Sequence, residues 1–102
     1  MNKFTIIYSE TSKKDIDVLA NYIIDKCKAP KTAVEYTQGL FKKINSLKNS
    51  ADSYALYNRK SLQQYGWDLR RINYKKMAIL YTIHGNTVLI RRILPSAMIT
   101  CK

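Results

Sequence analysis

The sequence predicts an α+β fold in a single domain spanning residues 1–102, with the order β-α-α-β-β-β. In it, an antiparallel sheet packs on an N-terminal helical hairpin. Three observations predict this. Apolar residues recur twice at helical spacing in the first half, on either side of a short break. After Trp67 the period changes to two, and turn signals separate the runs. A chain of 102 residues, 46% of them hydrophobic, suffices for one two-layer core and little more.

The elements follow in order. Lys3 to Ser9 (KFTIIYS) is rich in β-branched and aromatic residues and reads as the first strand. Ser12, with Asp15 three residues on, fits a capping box in which Asp replaces the usual Glu. Ile16, Leu19, Ala20, Ile23, Ile24 and Cys27 then form one stripe of a helix over Ser12 to Lys28. Pro30 suits the first position of a second helix, Pro30 to Lys48. Its stripe is Ala33, Tyr36, Leu40, Ile44 and Leu47, widened by Val34 and Phe41. Gly39 inside it costs about 1 kcal/mol relative to Ala, which points to a close approach by the first helix. The short break at Ala29 to Lys31 implies an antiparallel hairpin.

Asn49 to Tyr65 is polar and weakly periodic, as in a long surface loop. Tyr54 and Leu56, or Tyr57, are candidates to staple it to the core. Three strands follow: Asp68 to Tyr74, Met77 to His84, and Thr87 to Leu94, which Pro95 ends. The turn His84-Gly85-Asn86 and the other short connection make them an antiparallel meander. Both the hairpin and the sheet have apolar surface to bury. The helices therefore cover one sheet face, and the basic residues are expected on the other.

Eighteen Lys and Arg against seven Asp and Glu give a net charge of +11. The excess is concentrated late: from Trp67 onward there are seven cations and one acid, Asp68. Such a field attracts polyanions or acidic proteins. Phe4 to Tyr8 is too short for the apolar part of a signal peptide, and no segment approaches the length of a membrane span. These features place the protein in the cytoplasm, away from membranes. Cys27 and Cys101 lack metal-site spacing and read as reduced thiols, Cys27 in the core and Cys101 in the tail. Neither a metal nor a cofactor is expected.

Two stretches resemble the RelE/ParE toxin superfamily. In YSETSKKDIDVLANYI (Tyr8 to Ile23), Ser9, Asp15, Ile16, Tyr22 and Ile23 match the family's entry to its first helix. Glu10 stands where many members have Pro. In DLRRINYKKMAILYTIHGNTVLIRRIL, Leu69, Arg70, Tyr81, Val88, Ile90, Arg92 and Ile93 match the family's sheet. Helix 2 and SYALY (Ser53 to Tyr57) are also similar to members of the family, so the resemblance spans nearly the whole chain. It implies the toxin of a bacterial type II toxin–antitoxin pair, neutralised by an acidic cognate antitoxin in a hetero-oligomer. It also implies one of two targets. ParE-like members inhibit DNA gyrase by binding; RelE-like members cut mRNA on the ribosome without a metal.

Metal-free RNA cleavage needs the 2′-OH deprotonated, the phosphate charge stabilised and the leaving oxygen protonated. Arg70 and Arg92 are the candidates for the middle task, because both match family arginines. Arg71, Tyr74, Lys75, Lys76 and Arg91 join them as candidate contacts to a target or nucleic acid, with Tyr74 and Tyr65 able to stack on a base. Strand alternation sends Arg70 and Arg71 to opposite faces, and Arg91 and Arg92 likewise. The proton-transfer groups are harder to find. Leu94-Pro95-Ser96-Ala97-Met98 has no ionisable side chain where nuclease members carry His or Tyr, and Met98 replaces an Arg of ParE-like tails. His84 reads as a solvated turn residue and Tyr81 as core. Asp15 and Asp17 read as first-turn carboxylates favoured by the helix dipole. Gyrase inhibition is therefore expected first and ribosome-dependent mRNA cleavage second. A non-toxic basic nucleic-acid-binding domain is the third reading, and an absence of growth arrest on expression would favour it or a decayed toxin.

Overall fold

The structure, a computed structural model, describes residues 3–54 and 69–95. The elements are β1 (Thr5–Tyr8), α1 (Glu10–Cys27), α2 (Pro30–Asn45), a short α3 (Leu47–Ser50), a 3-10 turn (Ala51–Ser53), β2 (Arg70–Tyr74), β3 (Met77–His84) and β4 (Thr87–Pro95). They form one four-stranded sheet in the order β1-β4-β3-β2, with a helical hairpin on one face. No described helix is long and apolar enough to cross a membrane.

The expected α+β class and element order hold, and β2, β3 and β4 form the antiparallel meander. The wholly antiparallel sheet does not. β1 pairs with β4 in parallel, Thr5 opposite Thr87 and Tyr8 opposite Ile90. A parallel pair needs a long crossover connection, and the whole helical hairpin with the first two strands of the meander lies between these partners. The result puts β4 inside the sheet and leaves β1 and β2 as its edges.

The start of α1 is also corrected. Ser9 caps it, not Ser12: the Ser9 hydroxyl accepts the Ser12 N–H at 3.1 Å, and Ser12 Oγ donates to the Ser9 carbonyl at 2.8 Å. This reciprocal pair satisfies a helix-end donor and buries Ser12 completely. Asp15 is thereby released from any capping role. Ile16, Leu19 and Ile23 are buried as their spacing requires, whereas Ile24 is 40% exposed. Helix α1 ends at Lys28, which takes the left-handed conformation (φ 52°) usually left to Gly. Cys27 is half-buried against the core and disulfide-bonded, which replaces the reduced thiol expected there. Cys101, Leu56, Tyr57 and Tyr65 lie outside the described residues.

Helix α2 begins at Pro30 as expected but stops at Asn45, before the separate turn of α3. Gly39 admits a side chain, but not from α1. A Cβ there would lie 2.0 Å from the Tyr74 hydroxyl of β2. The core joins Ile16, Leu19, Ile23, Ala33, Leu40, Ile44 and Leu47 from the helical side to Ile72, Met77, Ile79, Tyr81, Val88, Ile90 and Ile93 from the sheet. The central strand β3 is buried on both faces from Met77 to Thr82.

Tyr81 is fully buried, and its hydroxyl donates to the Ala51 carbonyl at 2.7 Å, tying the 3-10 turn to the sheet. Burial pushes its pKa well above the usual 10.0, and burial also raises Tyr8 and Tyr36. The folded chain therefore holds these phenolic protons more tightly than the unfolded chain. Their contribution is intact below pH 10 and declines above it, because the unfolded state ionises first. Urea unfolding at pH 8, 9.5 and 11 should show stability falling between the last two. Tyr81→Phe should cost about 1–2 kcal/mol at pH 8, by stranding the Ala51 carbonyl, and should flatten the alkaline decline. A slope unchanged in Tyr81→Phe would remove Tyr81 as a source of the effect.

Candidate functional site

Strand alternation and one irregularity decide where the basic residues go. On β2, Arg70, Ile72 and Tyr74 face the helices, and Arg71 and Asn73 face away. Arg70 Nη1 donates to the Tyr54 carbonyl, and more weakly at 3.5 Å to that of Asp52, so this guanidinium fastens the end of the 3-10 turn to the sheet. Arg71 Nε donates to Asn73 Oδ1 at 2.9 Å on the opposite face. The predicted separation of Arg70 from Arg71 is therefore observed.

β4 does not keep strict alternation. Tyr81 pairs with Ile90 but Leu80 pairs with Arg92, so Arg91 is the extra residue of a β-bulge. A bulge re-aims the side chains around it. Ile90 and Ile93 both enter the core, and the two arginines between them part company. Arg92 binds Asp15 of α1 through two parallel contacts, Nε to Oδ2 at 2.7 Å and Nη2 to Oδ1 at 3.0 Å. Arg91 instead donates from Nε to Thr82 Oγ1 at 3.2 Å.

The Asp15 contact has a backbone cause. β1 pairs with β4 only as far as Ile90, so the next residues of β4 have no strand on that side. The entry to α1 fills that gap. Ser9 N–H donates to the Ile90 carbonyl, Ser9 Oγ to the Arg91 carbonyl, and Asp15 Oδ2 accepts the Ile93 N–H at 3.0 Å. Sequence patterning did not single out Ser9 or Asp15 for this task.

At the other end of the sheet, Tyr74 packs edge-on to Tyr36 of α2, with ring centroids 5.3 Å apart. Lys75, held in the turn with φ 52°, places Nζ 5.2 Å from the Tyr36 ring and 5.5 Å from the Tyr74 ring. The Tyr36 hydroxyl is buried with no hydrogen-bond partner among the described residues. Desolvation raises its pKa, opposed by the nearby Lys76 backbone and aided by Tyr74. Lys76 itself is exposed.

The seven candidate residues therefore do not form one site. Arg70 and Arg92 bind other parts of the chain, and Tyr74 is committed to α2. Arg71 and Arg91 lie on the face away from the helices, and Lys75 and Lys76 at the β2–β3 turn. His84 is exposed at the β3–β4 turn, as expected, with Nε2 2.8 Å from Thr82 Oγ1. Thr82 is the residue that sequence reasoning missed on this face. The one aliphatic hydroxyl inside the apolar run MAILYTIH was its signal, because a buried hydroxyl in a central strand needs a partner. The arrangement is suited to binding anions. Among the described residues, no group of three or more His, Cys, Asp or Glu is placed to hold a metal.

A family model described as "ParE toxin of type II toxin-antitoxin system, parDE" matches residues 6–100. No curated protein sequence matches the chain. Among solved structures, the chain is similar to one described as "Chromosomal ParDE TA system from P. aeruginosa". The TM-score is 0.75 at 14% identity, over 93% of this chain and 98% of that one. At that identity the likeness is one of fold.

Proposed function

Because the chain belongs to the ParE toxin family, and is the toxin component of a type II toxin–antitoxin system with an antitoxin as partner, we propose that it arrests growth by binding DNA gyrase in the cytoplasm. The observation that carries this choice of target is the commitment of Arg70 and Arg92. A nuclease would need these two guanidinium groups free to stabilise a phosphate in the transition state. Here Arg92 is held by Asp15 and Arg70 by backbone carbonyls. Tyr81, the matched tyrosine of the sheet, is sealed in the core with its hydroxyl on Ala51. These contacts favour inhibition by occupation over cleavage. The surface proposed for target contact is the sheet face with Arg71 and Arg91, together with Lys75 and Lys76 of the adjoining turn.

The antitoxin is proposed to be acidic. The charge of +11 would accelerate its association and make affinity fall with salt.

The test has two arms. Purified chain added to gyrase should abolish supercoiling near stoichiometric ratio, and prior addition of the antitoxin should restore it. Mapping of mRNA ends after induction should show no new cuts. Full supercoiling at tenfold excess, with fresh cuts in translated mRNA, would transfer the chain to the RelE-like reading.

A further inference from the structure

Arg91 differs from the other described arginines. Arg92 is bound by a carboxylate, Arg70 by carbonyls and Arg71 by Asn73. Among the described residues Arg91 commits only Nε, and its Nη1 and Nη2 have no hydrogen-bond partner there. None of the ion pairs among the described residues involves it. It is half-buried nonetheless, and its geometry is built. The bulge frees it from the strand repeat, and Thr82, 1% exposed, fixes one edge of its plane. A guanidinium only donates, so the Thr82 proton remains available to His84 Nε2. The chain Arg91–Thr82–His84 holds the fork in one orientation before any ligand arrives.

The surroundings specify the ligand. Thr82 is registered with Leu89, and Leu89 with Ile7 across the sheet, so this row continues as an aliphatic ledge. Ile7 is 50% exposed. The adjacent row is His84, Thr87 and Thr5. A nucleic-acid backbone rewards rows of cations with interleaved aromatic platforms, and neither row supplies them. A planar fork beside an aliphatic ledge matches a carboxylate whose neighbour on the same face is apolar. The net positive charge draws in such a segment.

We propose that Arg91, positioned by Thr82 and His84, is the recognition site for a carboxylate on an acidic, extended segment of a partner protein. An aliphatic side chain of the same segment lies on the Leu89–Ile7 ledge. This holds whichever protein supplies the segment, so it stands or falls separately from the choice of gyrase as target.

The test uses the full chain labelled with 15N, following the Arg91 Nε–H resonance where it is present and the Leu89 and Ile7 backbone amides in every variant. The probes are a blocked hexapeptide alternating Glu and Val, its Gln/Val counterpart, a six-residue oligothymidylate and inorganic phosphate. The Glu/Val peptide should shift the resonance to saturation, with affinity falling as salt is added. Arg91→Gln should weaken binding at least tenfold. Arg91→Lys, which keeps charge but loses the fork, should weaken it about threefold. Thr82→Val should broaden or move the free-state resonance and weaken binding, with the far-UV spectrum unchanged. Equal affinity in Arg91→Gln, or for the Gln/Val peptide, would overturn the proposal. So would saturation by oligothymidylate or phosphate at lower concentration than the Glu/Val peptide.

Discussion

Asp15→Ala is expected to destabilise the chain by about 3 kcal/mol, far more than removal of any surface acid. The Asp15 and Arg92 side chains are only 13% and 25% exposed, and the carboxylate accepts three hydrogen bonds. Without it, a part-buried guanidinium loses its counter-charge and the Ile93 N–H loses its acceptor, at the point where β4 has run past β1. Asp15→Asn keeps an acceptor for Ile93 but not the charge, and should cost about half as much. The contrast is with Lys3–Asp52 and Lys13–Glu10, pairs at 3.4 and 3.5 Å whose side chains are all at least 48% exposed. Solvent screening leaves such pairs less than about 1 kcal/mol. Urea midpoints at neutral pH separate the two classes. If Asp15→Ala and Glu10→Ala shift the midpoint equally, the carboxylate does not lock the edge of β4.

This pair also shows what could and could not be read from the amino-acid sequence. Asp15 and Arg92 each matched the RelE/ParE pattern, one in each half of the chain, yet nothing local says that they touch. Their meeting depends on β1 lying beside β4, and parallel pairing across more than 75 residues leaves no signature in either strand. Local signals served well where local physics decides. Helical spacing located the buried stripes of α1 and α2, Pro30 marked a helix start, and the apolar run MAILYTIH is β3. They failed where two residues of one type compete. Ser9 and Ser12 are both good caps, and the backbone beyond β1 selects Ser9. Arg91 and Arg92 are chemically alike, and only the bulge assigns one to Thr82 and the other to Asp15. The basic character of the surface was visible from composition; which cations remain open for a partner was not.

Gly39 offers a prediction in which the sign itself is diagnostic. In an ordinary helix interior Gly39→Ala would stabilise by about 1 kcal/mol. Here the new Cβ would lie 2.0 Å from the Tyr74 hydroxyl and 2.8 Å from its ring carbon Cζ, so the side chain must leave. Tyr74 is not free to do so cheaply. Its ring packs edge-on to Tyr36, a contact worth about 0.5–1.5 kcal/mol beyond the area buried, and Lys75 caps both rings. Adding the lost burial of the ring, about 1.5 kcal/mol, the penalty exceeds the helical gain. Gly39→Ala should therefore destabilise the otherwise unchanged chain by about 1–2 kcal/mol. In a Tyr74→Ala background the obstacle is gone, and the same substitution should stabilise by up to about 1 kcal/mol. Urea unfolding of the four members of this cycle gives the coupling directly. A stabilising Gly39→Ala in both backgrounds would mean that Tyr74 swings away without cost. Tyr74 would then be available to stack on a base, and the target surface would extend from the β2–β3 turn across the edge of the sheet.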